Sequence, residues 1–176
     1  MIIFKSAYQD HSERLFNYLL RMTGDYDLSR DIMQESFARC LEHYGTCIEN
    51  VSLLYRIARN LVVDHMRKAA RNQTLDDCGS ADPRSLEYHA NVLEHYREVL
   101  QALQLLTFED RELLALVAVK SLSYREIAKI LKISAANVKV RVHRARKRLR
   151  SLLEKQETRN ERTPDQPVYR RPTESG

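Results

Sequence analysis

Three features of the sequence predict an all-α chain. Apolar residues recur at helical spacing along most of its length, as in Val138, Val142, Ala145 and Leu149. Only 4 Gly and 4 Pro interrupt 176 residues. Strand-like alternation is scarce, and Leu, Ala, Arg, Glu and Lys dominate. Composition shifts between Asn72 and Arg84, where Asn, Gln, Asp, Gly, Ser and Pro leave little to bury. The expected organisation is therefore two small helical domains joined by a flexible linker. The first domain covers 1–71, the linker 72–91, the second domain 92–155 and a disordered polar tail 156–176.

The first helix is read from Phe4 to Thr23, with Leu15, Leu19 and Met22 inward beside Tyr8, His11 and Tyr18. Gly24 ends it as a C-terminal cap. A second helix follows from Leu28 to Tyr44, with Asp27 or Ser29 available as its N-cap. Leu28, Ile32, Phe37, Cys40, Leu41 and Tyr44 point inward by spacing, while Asp31, Gln34, Glu35 and Glu42 lie outside. Acids near a helix N-terminus favour the macrodipole, and they can equally form an acidic face for a basic partner. Spacing alone leaves both readings open.

After a loop from Thr46 to Asn50, a long helix runs from Val51 to Arg71. Its expected core is Leu54, Ile57, Ala58, Leu61 and Val62. Its other side carries Tyr55, Arg56, Arg59, Asn60, Val63, Arg67 and Lys68. Such a mixture of aromatic and arginine groups can stack and clamp single-stranded bases, or can be an ordinary solvated face.

Beyond the linker, a helix from Ser85 to Leu106 offers Leu86, Val92, Leu93, Tyr96, Leu100, Leu103 and Leu106 as core. Another runs from Phe108 to Val119, capped by Thr107, with Leu113, Leu114, Leu116 and Val117 buried. Then come two short amphipathic helices separated by a tight break. The first opens at Ser123 with Glu126 at capping-box spacing, and presents Ile127, Ala128, Ile130 and Leu131. The second opens at Ser134 and buries Val138, Val142, Ala145 and Leu149.

The opposite side of that last helix carries Ala136, Val140, His143, Arg144 and Lys147, flanked by Lys139 and Arg141. No acid falls between Lys139 and Arg150. Two turn-linked helices with small Ala128 at the crossing fit a helix-turn-helix. The major groove admits one α-helix, and small outward residues near its start let it sit deep while the basic flanks meet phosphates. The bland alternative is a solvated basic helix. Lys132 sits where such turns commonly carry Gly, because the backbone there must be left-handed; lysine costs about 1 kcal/mol at such a position.

The net charge of +5 favours an anionic partner such as nucleic acid. Leu113 to Val119 is too short to span a bilayer, so no membrane insertion is expected. The start of the chain lacks a signal-peptide pattern. Cys40, Cys47 and Cys78 are odd in number and include no Cys-x-x-Cys pair, so no disulfide framework and a cytoplasmic setting are expected. The pairs His43/Cys47 and Cys40/Tyr44 are too sparse for a metal site, and neither metal nor other cofactor is expected. No Gly-rich phosphate loop or nucleophile arrangement points to an enzyme. Two rivals stay in view: a stand-alone helix-turn-helix regulator, and a thiol-switched protein using one of the three cysteines.

Two blocks carry a family resemblance. One runs from Leu15-Phe-Asn-Tyr-Leu-Leu-Arg-Met-Thr-Gly-Asp25, through Asp31-Ile-Met-Gln-Glu-Ser-Phe37, to Leu54-Tyr-Arg-Ile-Ala-Arg-Asn-Leu-Val-Val-Asp-His-Met-Arg-Lys68. It resembles sigma region two. The other, Leu122-Ser-Tyr-Arg-Glu-Ile-Ala128 through Val138-Lys-Val-Arg-Val-His-Arg-Ala-Arg146, resembles sigma region four. In this order and separation, the chain resembles a bacterial sigma factor of the extracytoplasmic-function group.

The resemblance implies a dissociable, non-enzymatic subunit of RNA polymerase that recognises promoters. It implies that Asp31, Gln34 and Glu35 dock on the clamp helices of the polymerase's largest subunit. Arg56, Arg59 and Asn60, with the loop 46–50, would capture the melted −10 element, and Arg67 and Lys68 would hold phosphates. The helix from Ser134 would read the −35 element through Ala136, Lys139, Val140, Arg141, His143, Arg144 and Lys147. The flap of the second-largest subunit and an anti-sigma factor are further implied partners. Three positions depart from the family pattern: Lys132 for Gly, Asn137 for Thr and Val140 for Ser. Val140 suits a thymine methyl, so an unusual −35 sequence is expected.

Overall fold

The computed structural model of the protein describes residues 2–44, 51–72 and 94–161. Among them the order is α1 (Ile2–Thr23), α2 (Tyr26–Tyr44), α3 (Val51–Asn72), α4 (Glu94–Gln104), α5 (Phe108–Val117), α6 (Tyr124–Leu131) and α7 (Ala135–Glu161). No strand occurs among the described residues.

Helix α1 is buried on two faces. Leu15, Tyr18, Leu19 and Met22 pack toward α2 and α3, while Leu20 joins Leu100, Leu103, Leu106, Leu114 and Ala145 on another side. Full burial of one such side chain contributes roughly 1.5–3 kcal/mol. Gly24 ends the helix at φ +71°, and a Cβ there would lie 3.1 Å from the Gln104 side chain. Gln104 itself donates to the Arg21 carbonyl at 3.1 Å and so ties α4 to the end of α1.

Helix α2 starts two residues earlier than expected, and its cap is Asp25 rather than Asp27 or Ser29. The Asp25 carboxylate accepts from Leu28 N–H at 2.9 Å. Ser29 is instead buried, its hydroxyl 2.8 Å from the Thr23 hydroxyl. Asp27 is exposed and weakly paired with Arg30 at 3.8 Å. Leu41, expected inside, is exposed, because it lies on the same face of α2 as exposed Gln34 and Ala38. Tyr55 moves the other way. Expected on an outer face, it is fully buried and meets Tyr18 edge-on with ring centroids 5.2 Å apart.

Cys40 is fully buried and disulfide-bonded, which corrects the expectation of no disulfide. Three cysteines still permit one bond, so their odd number did not exclude it. Cys47, Cys78, the loop 46–50 and the linker's 73–91 lie outside the described residues. So do Leu86, Val92 and Leu93 of the helix expected from Ser85. Helix α7 continues to Glu161, so the first residues of the segment expected to be disordered are helical.

The two units do not stand apart. A single buried cluster runs from Leu15, Phe37 and Leu54 through Leu113 and Leu116 to Ile127, Val138 and Val142. Helix α5 packs on α1, and α6 packs on α3. No described helix is long and apolar enough to cross a membrane.

The break between α6 and α7 has the expected geometry. Lys132 is left-handed at φ 55°, ψ 43°, with its N–H on the Ala128 carbonyl. Ile133 N–H reaches the same carbonyl at 3.0 Å. A lysine Cβ is strained in this region, so Lys132→Gly is expected to raise stability by up to about 1 kcal/mol. A rise in the urea midpoint at unchanged slope checks this.

Candidate nucleic-acid interface and the seam beside it

Helix α7 is positioned by its own cap and by its neighbours. Ser134 accepts from Asn137 N–H at 3.2 Å, fixing the first turn. Across the turn, α6 is held by a complete capping box: Ser123 Oγ accepts from Glu126 N–H at 3.3 Å, and Ser123 N–H donates to the Glu126 carboxylate at 2.7 Å. The Ser123 hydroxyl also donates to that carboxylate at 2.6 Å, and this bond first, then the backbone one, holds the Glu126 carboxyl below its ordinary value. Val138, Val142 and Ala145 are buried against α5 and α6, which turns the other side of α7 outward.

That outward side holds every residue expected to meet the −35 element. Ala136, Lys139, Val140, Arg141, His143, Arg144 and Lys147 are all exposed. Val140 is 49% exposed, an apolar side chain set among cations and free to meet an apolar group such as a methyl. Arg141, Arg144 and Arg148 also line a 270 Å³ hollow with Thr107, Glu109 and Asp110 of the α5 N-terminus. Arg148 pairs there with Asp110. Asp110 holds Arg148 in place, while no acid falls between Lys139 and Arg150 on α7 itself.

Asp31, Gln34 and Glu35 form one exposed stripe on α2, at helical spacing. Glu35 pairs with Arg39 at 2.7 Å on the surface, a contact of small energy that leaves the stripe accessible. On α3, Arg56, Asn60, Arg67 and Lys68 are exposed as expected. Arg67 has only a distant companion, Asp64 at 3.9 Å.

Arg59 departs from the expected open face. Its Nε donates to one oxygen of Glu112 on α5, and its Nη2 approaches the other at 3.4 Å. The Glu112 side chain is 3% exposed and that of Arg59 33%. This pair crosses the seam between α3 and α5. Burial raises the Glu112 carboxyl above its ordinary value, against the opposing pull of Arg59. Asp110, Arg111 and Glu112 are consecutive buried ionisable residues, and sequence reading passed over all three as site residues. The signal was present in Leu113, Leu114, Ala115 and Leu116: a helix apolar on every side is enclosed, and its first turn is enclosed with it. Among the described residues no cluster of three or more His, Cys, Asp or Glu is arranged to hold a metal.

Two family models match separate parts of the chain. Sigma-70 region 2 matches residues 7–72, and Sigma-70, region 4, matches residues 96–149. The ECF RNA polymerase sigma factor SigM of Bacillus subtilis is 34% identical over 150 residues, covering 82% of this chain and 91% of its own. The chain belongs to the ECF RNA polymerase sigma factors. SigX of the same organism is 31% identical, with 86% of this sigma factor and 84% of SigX covered. Two solved structures share the fold at 24% identity. The sigma factor RpoE in complex with the anti-sigma factor NepR from Bartonella quintana gives a TM-score of 0.66, covering 86% of this chain and 96% of that one. CnrH in complex with the cytosolic domain of CnrY gives 0.63, covering 86% and 88%.

Removing one partner of the seam pair strands a buried charge. Arg59→Ala is expected to destabilise this sigma factor by roughly 3 kcal/mol, whereas Arg59→Met with Glu112→Met is expected to be near neutral. Urea midpoints of the variants check both. Because the folded chain holds the Glu112 proton more readily than the unfolded chain, wild type should gain stability over Glu112→Gln as pH falls from about 7 to about 5. Parallel unfolding curves at the two pH values read that difference.

Proposed function

We propose that this sigma factor directs core RNA polymerase to a defined set of promoters through three surfaces. The observation that carries the reading is the outward side of α7, where Ala136, Val140 and a run of basic residues from Lys139 to Arg150 face solvent opposite the buried Val138, Val142 and Ala145. On this reading α7 lies in the −35 major groove. Arg141, His143 and Arg144 meet base edges, Val140 meets a thymine methyl, and Lys139 and Lys147 meet phosphates. Ala136 lets the first turn approach closely. The stripe Asp31, Gln34 and Glu35 grips the clamp helices of the largest polymerase subunit, and the flap of the second-largest subunit receives the region-four unit. Arg56, Asn60, Arg67 and Lys68, joined by Arg59, take the melted −10 strand by stacking and phosphate contacts.

Geometry adds a requirement. The two promoter elements are centred about 25 base pairs apart, or about 85 Å at ~3.4 Å per pair. Helices α3 and α6 are in contact in the closed chain. One closed molecule therefore does not span both elements, and the seam opens when they are bound together. Opening also frees Arg59 from Glu112. An anti-sigma factor that favours the closed arrangement inhibits by mass action alone. The solved sigma factor RpoE held by the anti-sigma factor NepR supports this partner class.

Arg144→Ala is expected to weaken promoter recognition about tenfold or more while core polymerase is retained normally. Asp31→Ala with Glu35→Ala is expected to lose polymerase and keep the −35 contact. Run-off transcription and polymerase pull-down on both variants decide it. Equal loss of polymerase by both would break the assignment, and promoter binding that needs no polymerase would point to a stand-alone regulator.

A further inference from the structure

A second feature of the seam is independent of the Arg59–Glu112 pair. A cavity of about 130 Å³ lies where Met22, Leu28, Ile32, Val62 and Met66 of the region-two unit meet Arg111 of α5. Its wall is mostly apolar, yet Arg111, a residue only 9% exposed, lines it. One nitrogen of the Arg111 guanidinium, Nη1, donates to the Gln104 side chain. The Nε–H is buried without a hydrogen-bond partner. The acids on either side are committed elsewhere: Asp110 pairs with Arg148, and Glu112 with Arg59. Among the described residues no ion pair is formed by Arg111.

A buried cation facing an apolar space without a counter-ion is costly to maintain, and its attraction for an anion is strong in a poorly polarisable surrounding. A planar guanidinium with an unused donor matches a carboxylate in particular. The apolar walls call for an aliphatic stem on that carboxylate. A cavity of about 150 Å³ holds benzene, so this one is sized for about six heavy atoms.

We propose that this cavity binds a small free aliphatic carboxylate of about four carbons, with its carboxylate on Arg111 and its chain against Met22, Ile32, Val62 and Met66. Both units contribute walls, so the complete site exists only in the closed arrangement. A bound acid therefore stabilises that arrangement by linkage. The proposal rests on the packing of α5 against the first unit and not on the promoter-directing role.

The test uses the full free chain, without polymerase or DNA. Sodium butyrate is titrated by ligand-observed NMR and by thermal unfolding, beside butyramide and N-acetyl-glutamate α-amide at matched ionic strength. Butyrate is expected to bind at least about tenfold more tightly than uncharged butyramide, in keeping with a charge-assisted hydrogen bond. It is also expected to raise the unfolding temperature. Arg111→Met should weaken butyrate by a similar factor. Ala69 lines the cavity and is itself exposed, so Ala69→Leu fills the space without disturbing the core and should also abolish binding. Equal binding of butyrate and butyramide, no binding at all, or full binding by Ala69→Leu would overturn the site. Tighter binding of the blocked glutamate than of butyrate would overturn its assignment to a free acid. Neither failure touches the sigma reading, which is tested with polymerase and promoter.

Discussion

Helix α5 carries Leu113, Leu114, Ala115 and Leu116 in succession, and all four are buried between α1 on one side and α7 on the other. No face of α5 is left for solvent over this stretch. The ionisable residues of its first turns are drawn in with it, and each is met in a different way: Asp110 by Arg148, Glu112 by Arg59, and Arg111 by Gln104. The helix that supports the region-four unit is therefore also the helix that fastens that unit to the region-two one. A buried ion pair adds little net stability over an apolar contact of the same shape, but it is intolerant of losing one partner. That makes the seam selective for one alignment and separable as a unit.

The helix-turn-helix shows how local rules produce a charged reading surface. The capping box at Ser123 and Glu126 starts α6, left-handed Lys132 ends it, and Ser134 starts α7 within three residues. The apolar stripe of α7 then leaves one direction outward, and the sequence places its cations there. A one-signed run of this kind attracts polyanions at long range, and on the proposed reading the small residues at its start would set the depth of approach.

Helix existence, most caps and the whole outward face of α7 were legible from periodicity and spacing. The burial of Tyr55 and the engagement of Arg59 were not. Both sit on the side of α3 that an isolated amphipathic helix would give to water, and only α1 and α5 packing there reverse it. The polar linker shows that two units exist and says nothing about whether they touch. The cap at Asp25 was not legible because the helix start was taken from the first apolar position, Leu28, whose own N–H is the donor that Asp25 caps. The α2 stripe was legible as exposed acid, but its use became readable only through likeness to the sigma factors.

The central claim is that the free chain is closed across the α3–α5 seam and opens to span a promoter. Distance measurement between labels placed by noncanonical amino acids at exposed Asp64 of α3 and exposed Lys129 of α6 addresses it most directly. The account predicts one narrow, short distance in the free chain and a lengthening by tens of ångströms, on the scale of about 85 Å between promoter elements, in the polymerase–promoter complex. A broad distribution in the free chain, or an unchanged short distance in the complex, would contradict it.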